Sequence, residues 1–140
     1  MRFQLISADG LRFDEDVYEV LVPTKSGVIA IFRDHMPLLS AAAPGVLSIR
    51  RKVGDSERSM EHFAVFGGVI EIDGTSARLV TDDVTTPEEV SEQEATEALK
   101  RAEQMVETAG SQAAIEEAKH LLQRSAVRLE IAKLKRHHHR

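Results

Sequence analysis

The sequence of 140 residues contains no cysteine and no tryptophan, and aromatic residues make up only 4% of it. Without cysteine the chain has no disulfides, thiolate metal sites or cysteine nucleophiles. The scarcity of aromatic side chains argues against a carbohydrate-binding domain, which needs an exposed aromatic platform. No apolar run approaches the roughly 18 residues of a membrane-spanning helix, and the first ten residues read as a strand and a turn. We therefore expect a soluble protein.

The sequence also lacks recognisable groups for catalysis. No glycine-rich run precedes a Lys-Ser or Lys-Thr pair, and the few histidines have no evident nucleophile as a partner. We expect no catalytic residue, no metal and no cofactor. A hydrolase would need a cluster of polar groups in a cleft, and the scattered aspartates and histidines offer no such set.

Charge is distributed unevenly along the chain. The formal net charge of −5 argues against nucleic acid as the main partner. Beyond Lys119, however, Glu130 is the single acidic residue, and the basic residues there are Arg124, Arg128, Lys133, Lys135, Arg136 and Arg140. The pattern is that of an acidic body with a basic tail.

Up to about residue 84 the sequence is typical of β-structure. Short β-branched runs alternate with turn signals such as Asp9-Gly10 and Asp73-Gly74. Because no helical stretch separates the runs, they favour an antiparallel sandwich or barrel. The predicted strands cover residues 3–7, 17–22, 28–32, 46–52, 62–66, 69–72 and 77–81.

Gly67-Gly68 interrupts two of these predicted strands. Two residues without side chains predict a bulge or corner where the chain passes between sheets, or a place where another backbone comes close.

From residue 85 the apolar period becomes helical, and Gly110-Ser111 divides it into two helices. Gly110 suits a left-handed position after the first helix, and Ser111 suits the N-cap of the second. Two capping boxes compete for the first helix start, one beginning at Thr86 and one at Ser91, and we favour Ser91. The short connection predicts an antiparallel hairpin. Its apolar stripe comprises Ala95, Ala98, Leu99, Ala102, Met105, Val106, Ala109, Ile115, Ala118, Leu122, Ala126, Leu129 and Ala132.

The predicted fold class is therefore α+β, with an N-terminal antiparallel β-sandwich followed by a C-terminal antiparallel two-helix hairpin. The expected boundaries are residues 1–84 for the sandwich, 85–90 for a linker and 91–140 for the hairpin. Burying alanine contributes much less than burying leucine, so the hairpin is expected to be only marginally stable when alone. That indicates either a movable element or a hairpin packed statically on the sandwich.

Four short motifs, in order along the chain, resemble those of the epsilon subunit of F-type ATP synthase, called delta in mitochondria. Residues 27–39 (GVIAIFRDHMPLL) resemble the family's G-x-L-G-I-L-P-x-H-x-P-L-L, and residues 44–49 its P-G-x-x-x-I. Residues 63–72 (FAVFGGVIEI) resemble its glycine-pair segment, and residues 121–132 (LLQRSAVRLEIA) its L-x-R-A-x-x-R-L-x-V-A. The resemblance covers essentially the whole chain.

The resemblance implies a non-catalytic subunit of the central stalk, peripheral to the cytoplasmic face of an energy-transducing membrane. It would join the gamma subunit and the ring of c subunits, couple ion-driven rotation to ATP synthesis, and restrain ATP hydrolysis through its C-terminal helices. Those helices would reach the alpha and beta subunits of the catalytic head when extended. The alternative is a stand-alone ligand-binding or adaptor sandwich with a helical hairpin.

By the same resemblance, the histidine-bearing loop would contact the c-ring. The residues concerned are Val28, Arg33, Asp34, His35 and Met36. Ala30, Arg33 and Asp34 replace the family's glycine, proline and usual small residue, which makes this loop more charged. The alternative for His35 is a hydrogen bond within its own turn before Pro37.

The basic tail would meet an acidic loop of the beta subunits in the extended state, and would cap a solvated helix end in the compact state. The residues concerned are Arg124, Arg128, Lys133, Lys135 and Arg136. Three consecutive histidines, His137, His138 and His139, follow, and a frayed end or a cloning remnant explains them better than a metal site.

Some bacterial members of the family bind ATP through an I/L-D-x-x-R-A motif. That motif aligns here with residues 90–95, where Ser91 replaces its aspartate and Glu94 its arginine. A carboxylate in place of a guanidinium repels a triphosphate. We therefore expect weak or no nucleotide binding to the isolated subunit.

Overall fold

The structure is a computed structural model that describes the backbone of residues 1–138 and the side chains of residues 1–134. Eight strands precede two long helices, and single 3-10 turns lie at Glu57–Ser59 and Pro87–Glu89. The elements are β1 (Arg2–Ser7), β2 (Gly10–Asp16), β3 (Glu19–Thr24), β4 (Gly27–Ile31), β5 (Leu38–Arg50), β6 (Glu61–Ile72), β7 (Ser76–Val80), β8 (Val84–Thr85), α1 (Glu92–Thr108) and α2 (Gln112–His138).

The strands hydrogen-bond in the order β2-β1-β7-β6-β5-β3-β4, with β8 added to β6. The two longest strands, β5 and β6, run along each other and take part in both halves of the sandwich. The last residues of β6 pair with β7, and the last residues of β5 pair with β3. The first half thus consists of β2, β1, β7, the last residues of β6 and the first residues of β5. The second half consists of β4, β3, β8 and the remaining residues of β5 and β6.

One apolar core lies between the two halves. Phe3, Leu5 and Leu79 from the first half and Val20 and Ile49 from the second are fully buried in it. Phe3, Leu5, Leu79 and Val20 alternate along their strands with exposed or half-buried residues, as the two-residue period of a strand requires. Ile49 is an exception, because its neighbour Ser48 is buried as well. The predicted fold class, a β-sandwich followed by a helical hairpin, is confirmed.

Gly67 and Gly68 form the predicted corner, where β6 passes from one half of the sandwich to the other. They have φ angles of +97° and +125°, which favour glycine. The predicted close approach of another backbone is present too, because a Cβ on Gly68 would lie 2.2 Å from the carbonyl oxygen of Val80. The strand continues through the corner, so the predicted break between residues 66 and 69 was wrong.

Two further strand predictions need correction. Strand β2 was not predicted, because Phe13 is its single buried side chain and, apart from Gly10 and the exposed Leu11, its other residues are polar. The first part of β5, rich in alanine, was also not predicted, yet residues 38–42 pair in register with residues 68–72 of β6. One strand pair is parallel, β1 with β7, and the chain between them passes through the other strands instead of a crossover helix.

The hairpin begins and turns at two serines, as predicted. The Ser91 hydroxyl accepts a hydrogen bond from the Glu94 N–H at 3.3 Å, and the Ser111 hydroxyl accepts one from the Ala114 N–H at 3.1 Å. These are N-cap contacts for α1 and α2. Gly110 does not take the predicted left-handed conformation.

The hairpin packs on the outer face of the second half of the sandwich, opposite the core. Val127, Ile131 and Ala132 of α2 form a separate small cluster with Ala64 of β6 and Ala95 of α1. Most of the predicted apolar stripe is buried or half-buried, but Met105 and Ala126 are exposed. Val127, next to Ala126, is buried instead. None of the described helices is long and apolar enough to cross a membrane.

Candidate functional site

The residues predicted to contact the c-ring are divided between the two ends of β4. Val28 is 64% exposed and follows the β3–β4 turn, whereas Arg33 to Met36 follow the other end of the strand. At about 3.3 Å per residue, roughly 15 Å of strand separates the two groups. The strand between them agrees with the strand predicted at residues 28–32, and all five residues lie on the surface or close to it.

His35 braces the turn that follows β4. Its Nδ1 is 2.7 Å from the carbonyl oxygen of Met36, and because a carbonyl only accepts, Nδ1 carries the hydrogen. The His35 N–H also donates to the Phe32 carbonyl at 3.2 Å. Asp34 has a φ of +64° and donates its N–H to the Gly74 carbonyl at 3.0 Å. The intra-turn hydrogen bond predicted for His35 is confirmed, and a contact with the c-ring stays a prediction.

An apolar row crosses the uncovered outer face of the first half of the sandwich. Register partners on neighbouring strands project to the same side, and here they run from β2 to β5 through Leu11, Ile6, Val80, Val69 and Ala41. Leu11, Val69 and Val80 are 56%, 46% and 46% exposed. The sequence analysis missed this row, although apolar residues at consecutive positions such as Leu79 and Val80 could have indicated a strand apolar on both faces.

Arg124 of the basic tail is bound to the sandwich. Its Nη2 donates to Oδ2 of Asp83 at 3.1 Å, and its guanidinium carbon lies 4.2 Å from the centre of the Phe66 ring. Arg128 lies 6.0 Å from the same ring. These cation–π and ion-pair contacts hold the second helix against the sheet.

The structure gives no contact with the sandwich for the remaining predicted residues of the basic tail that it describes. Lys133 is exposed on α2. Lys135, Arg136 and the histidines at 137–139 lie outside the described side chains.

Ser91 and Glu94, from the degenerate nucleotide motif, line a cavity of about 710 Å³ between the sandwich edge and both helices. Three arginines also line it, Arg12, Arg101 and Arg128, but so do four further carboxylates. Those four are Asp9, Asp83, Glu89 and Glu97. Sequence analysis assigned neither Arg12 nor Arg101 to this cavity, since they come from distant elements.

Several of these groups already have partners, including Asp83, which is paired with Arg124. Arg12 pairs with Glu89 at 3.3 Å, and the Ser91 hydroxyl is used as the helix cap. The cavity is therefore of mixed charge, with carboxylates interspersed among its arginines. Among the described residues, no group of three or more histidines and carboxylates is arranged to hold a metal ion.

The sequence model of the ATP synthase delta/epsilon chain β-sandwich domain matches residues 1–87. The chain belongs to this family. It is 31% identical over 107 residues to the ATP synthase epsilon chain of Rhizobium johnstonii, covering 76% of each chain. It is 27% identical over 132 residues to the epsilon chain of Gloeobacter violaceus, covering 94% of this chain and 96% of that one.

Solved structures of lower identity share the fold of this epsilon-family chain. A chain in the mitochondrial ATP synthase of Euglena gracilis (OSCP/F1/c-ring) superposes with a TM-score of 0.81 at 19% identity, covering 94% of this chain and 79% of that one. A chain of the Tetrahymena thermophila mitochondrial ATP synthase (central stalk/c-ring) gives 0.58 at 19% identity, covering 96% of both.

As an epsilon-type chain, the protein is a non-catalytic subunit of ATP synthase. One polar pair was nevertheless missed in the sequence, since the Ser48 hydroxyl lies 2.8 Å from Nδ1 of His62. The two residues are register partners on β5 and β6, and Ser48 is buried. The pair satisfies polar groups between strands, and the subunit's role does not call on it for chemistry.

Proposed function

We propose that the chain is a rotor subunit of the central stalk, which transmits rotation of the c-ring to the catalytic head through the gamma subunit. The observation that carries this proposal is the apolar row on the first half of the sandwich. The outer face of the other half is covered by the hairpin, so of the two outer faces the one that carries this row is free for a partner. Exposed apolar patches of this kind mark protein interaction surfaces, and we assign this one to gamma.

The c-ring would meet the two ends of β4. Val28 lies at one end and residues 33–36 lie at the other. The hydrogen bond from His35 to the Met36 carbonyl fixes the conformation of the turn at residues 33–36. Both solved structures that share the fold are described as containing a c-ring, and the Tetrahymena one as containing the central stalk, which supports this assignment. The chain would thereby be peripheral to the membrane, on its cytoplasmic face in a bacterial cell.

The hairpin would restrain ATP hydrolysis by leaving the sandwich and extending toward the alpha and beta subunits. Its contact with the sheet uses a small cluster separate from the main core, so undocking need not disturb the sandwich. Arg124 and Arg128 would change partners in this movement, from Asp83 and Phe66 to acidic residues of the head. A shared residue makes the two states mutually exclusive.

We further propose that the isolated chain binds ATP weakly or not at all. Glu94 faces the cavity where the motif of the ATP-binding members has arginine, and the other carboxylates add to the repulsion of a triphosphate. Titration calorimetry with Mg-ATP tests this. Glu94→Arg should strengthen binding, and tight binding by the unaltered chain would refute the proposal.

Co-purification tests the rotor assignment. The chain, expressed with a gamma subunit from a related bacterium, should elute with it in size-exclusion chromatography. Val69→Glu together with Val80→Glu should abolish the association, because charges would then interrupt the apolar row. A matched pair of changes at exposed positions of α1, Met105→Glu and Gln104→Glu, should leave it intact. Association unaffected by the sheet changes would place gamma elsewhere.

A further inference from the structure

The segment that joins the sandwich to the hairpin is packed against both of them. It begins at β8, whose two residues pair with β6, and continues through the 3-10 turn Pro87–Glu89 to Val90. Val84 belongs to the main core, whereas Val90 belongs to the small cluster under the hairpin. The chain therefore passes from one packed body to the other between these two residues. We call residues 84–89 the joining segment.

The packing of the 3-10 turn alone does not decide which body the turn follows. The turn contacts both α2 and β6. If it left with the hairpin, the chain would bend near Thr86. If it stayed with the sandwich, the chain would bend at Val90 and Ser91. A further contact with one of the two bodies is needed to fix the place of the bend.

Arg12 of β2 supplies such a contact from the sandwich. Its Nη1 donates to the Val84 carbonyl oxygen at 3.4 Å, and its Nη2 donates to Oε1 of Glu89 at 3.3 Å. The donors of a guanidinium group lie in one rigid plane, so a single side chain holds the first and last residues of the joining segment beside β2. We call these two contacts the Arg12 clasp.

The charges around the clasp do not replace it. Other carboxylates and arginines line the same cavity, but among the described side chains Arg12 and Glu89 form their ion pair with each other alone. Their side chains are 25% and 51% exposed. Solvent therefore screens the pair, and its loss should change populations by a few fold only.

The hairpin is held by a different arginine. Arg124 of α2 pairs with Asp83, which precedes the joining segment. This ion pair shares no residue with the Arg12 clasp. The hairpin can therefore release Asp83 while Arg12 keeps its hold on Glu89.

The two residues after the joining segment have the conformation that a hinge needs. Val90 and Ser91 are extended, with ψ angles of 128° and 125°, and they lie between the 3-10 turn and the first turn of α1. A few residues at the ends of elements commonly absorb the backbone rotation of a moving domain.

We propose that the Arg12 clasp keeps the joining segment on the sandwich when the hairpin leaves, and so places the hinge at Val90 and Ser91. Arg12 is thereby a positioning residue, which sets where the chain bends. The inference rests on the proposed function for the movement itself, and on the clasp for the place of the hinge. Without the clasp the mobile tether would begin near Thr86, and a longer tether makes return of the hairpin less favourable.

Distances between spin labels test the place of the hinge. The chain has no cysteine of its own, so pairs of labels can be attached to introduced cysteines. Lys25→Cys at the β3–β4 turn is the reference, Glu88→Cys reports on the 3-10 turn, and Gln104→Cys reports on α1. All three positions are exposed. Pulsed electron paramagnetic resonance measures each distance in the free chain and in a gamma-containing catalytic head.

Assembly should change the distance from residue 25 to residue 104 and leave the distance from residue 25 to residue 88 unchanged. In the assembled state, Arg12→Gln should enlarge a second population of the latter distance by about two- to fivefold. Glu89→Gln removes the same ion pair and should act in the same direction. Arg12→Glu combined with Glu89→Arg should restore the single distance, which a merely structural role for Arg12 would not predict.

Arg101→Gln is the matched control. Arg101 lines the same cavity, but it forms no ion pair with the side chains that the structure describes. This change should leave the distance to residue 88 unaltered. Equal effects of Arg12→Gln and Arg101→Gln, or no restoration by the exchanged charges, would overturn the inference.

The two label positions separate this inference from the proposed function. If the distances to residues 88 and 104 changed together in the unaltered chain, the hinge would lie before the 3-10 turn, and only the inference would be overturned. If assembly left the distance to residue 104 as it is in the free chain, the hairpin would not have moved, and both would be overturned.

Discussion

Gly68 illustrates how a single residue fixes the corner of the sandwich. A Cβ at this position would meet the Val80 carbonyl oxygen at 2.2 Å and Thr81 Cα at 3.0 Å, and φ is +125°. Both the backbone of a neighbouring strand and the residue's own conformation therefore exclude a side chain. Relief of the contact would require β6 and β7 to separate.

Gly68→Ala should accordingly lower the free energy of unfolding by about 3 kcal/mol or more, from backbone strain and overpacking together. Gly74→Ala is the matched control, because Gly74 has φ +102° but open space around it. It should cost about 1–2 kcal/mol from strain alone. Urea unfolding followed by circular dichroism measures both, and equal losses would show that the close approach to Val80 contributes nothing.

Asp73 makes the stability of the sandwich depend on pH. The Ser76 N–H donates to its Oδ1 at 2.9 Å and the Ser76 hydroxyl adds a second bond, which together lower the pKa of the Asp73 carboxyl. A folded-state pKa below the unfolded value means that the unfolded chain binds more protons in acid. The stabilisation is present above the ordinary pKa of about 4 and is lost as the pH falls through the lowered value.

Asp73→Asn should therefore make the free energy of unfolding fall less steeply as the pH is lowered from about 5 to about 2. Denaturant midpoints at a series of pH values measure it. The remaining slope would come from Asp14, Glu15 and Asp16, whose pKa values are lowered by Arg2, by Arg51 and by the amino terminus respectively. If the variant lost stability in acid as steeply as the unaltered protein does, the role of Asp73 would be contradicted.

Local chemistry predicted some residues well and others poorly. The corner at Gly67-Gly68 and the caps at Ser91 and Ser111 followed from steric and hydrogen-bonding rules that act within a few residues. Ala126 did not follow, because the face of α2 that is buried depends on how the helix rotates against the sheet. That rotation is set by Val127 and Ile131 packing on β6.

At the scale of elements, Arg124 is the principal polar contact between α2 and the sandwich that the structure describes. Arg124→Ala removes its ion pair with Asp83 and its packing on Phe66, which together contribute about 1 kcal/mol. The α2 amides should then exchange roughly fivefold faster, with sandwich amides unchanged, if the hairpin opens as a unit.

Lys133→Ala is the control for that measurement. Lys133 is on the same helix, and it is exposed and has no ion pair among the described side chains. Hydrogen exchange followed by mass spectrometry compares the two variants. Equal acceleration in both, or acceleration that extends to β1 and β7, would contradict separate opening of the hairpin.

Helices and strands were predicted correctly where the hydrophobic pattern was strong. Strands were missed where only pairing with a neighbouring strand gives the segment its conformation. The hydrophobic runs of β1, β3 and β7 and both helices were predicted from sequence. The missed strand β2 has one buried side chain, and the missed part of β5 is rich in alanine and contains Pro44, so neither carries a strong propensity. Their conformation comes from strand partners, and so does the parallel pairing of β1 with β7. Strand β4, by contrast, was predicted at residues 28–32, and it separates Val28 from the other residues of the proposed c-ring contact.

At the scale of the whole molecule, the sandwich has two outer faces with different surroundings. The hairpin covers one, and the other presents the apolar row. The main core lies between them and shares no residue with the hairpin cluster. The molecule is thus suited to remain fixed to a partner through one face while the helices on the other dock or leave.

The most direct test of this account measures ATP hydrolysis by a gamma-containing catalytic head reconstituted with the chain. The full chain and a version ending at residue 90 should both associate with gamma, and only the full chain should slow hydrolysis. Equal slowing by both versions, or no slowing by the full chain, would contradict the account.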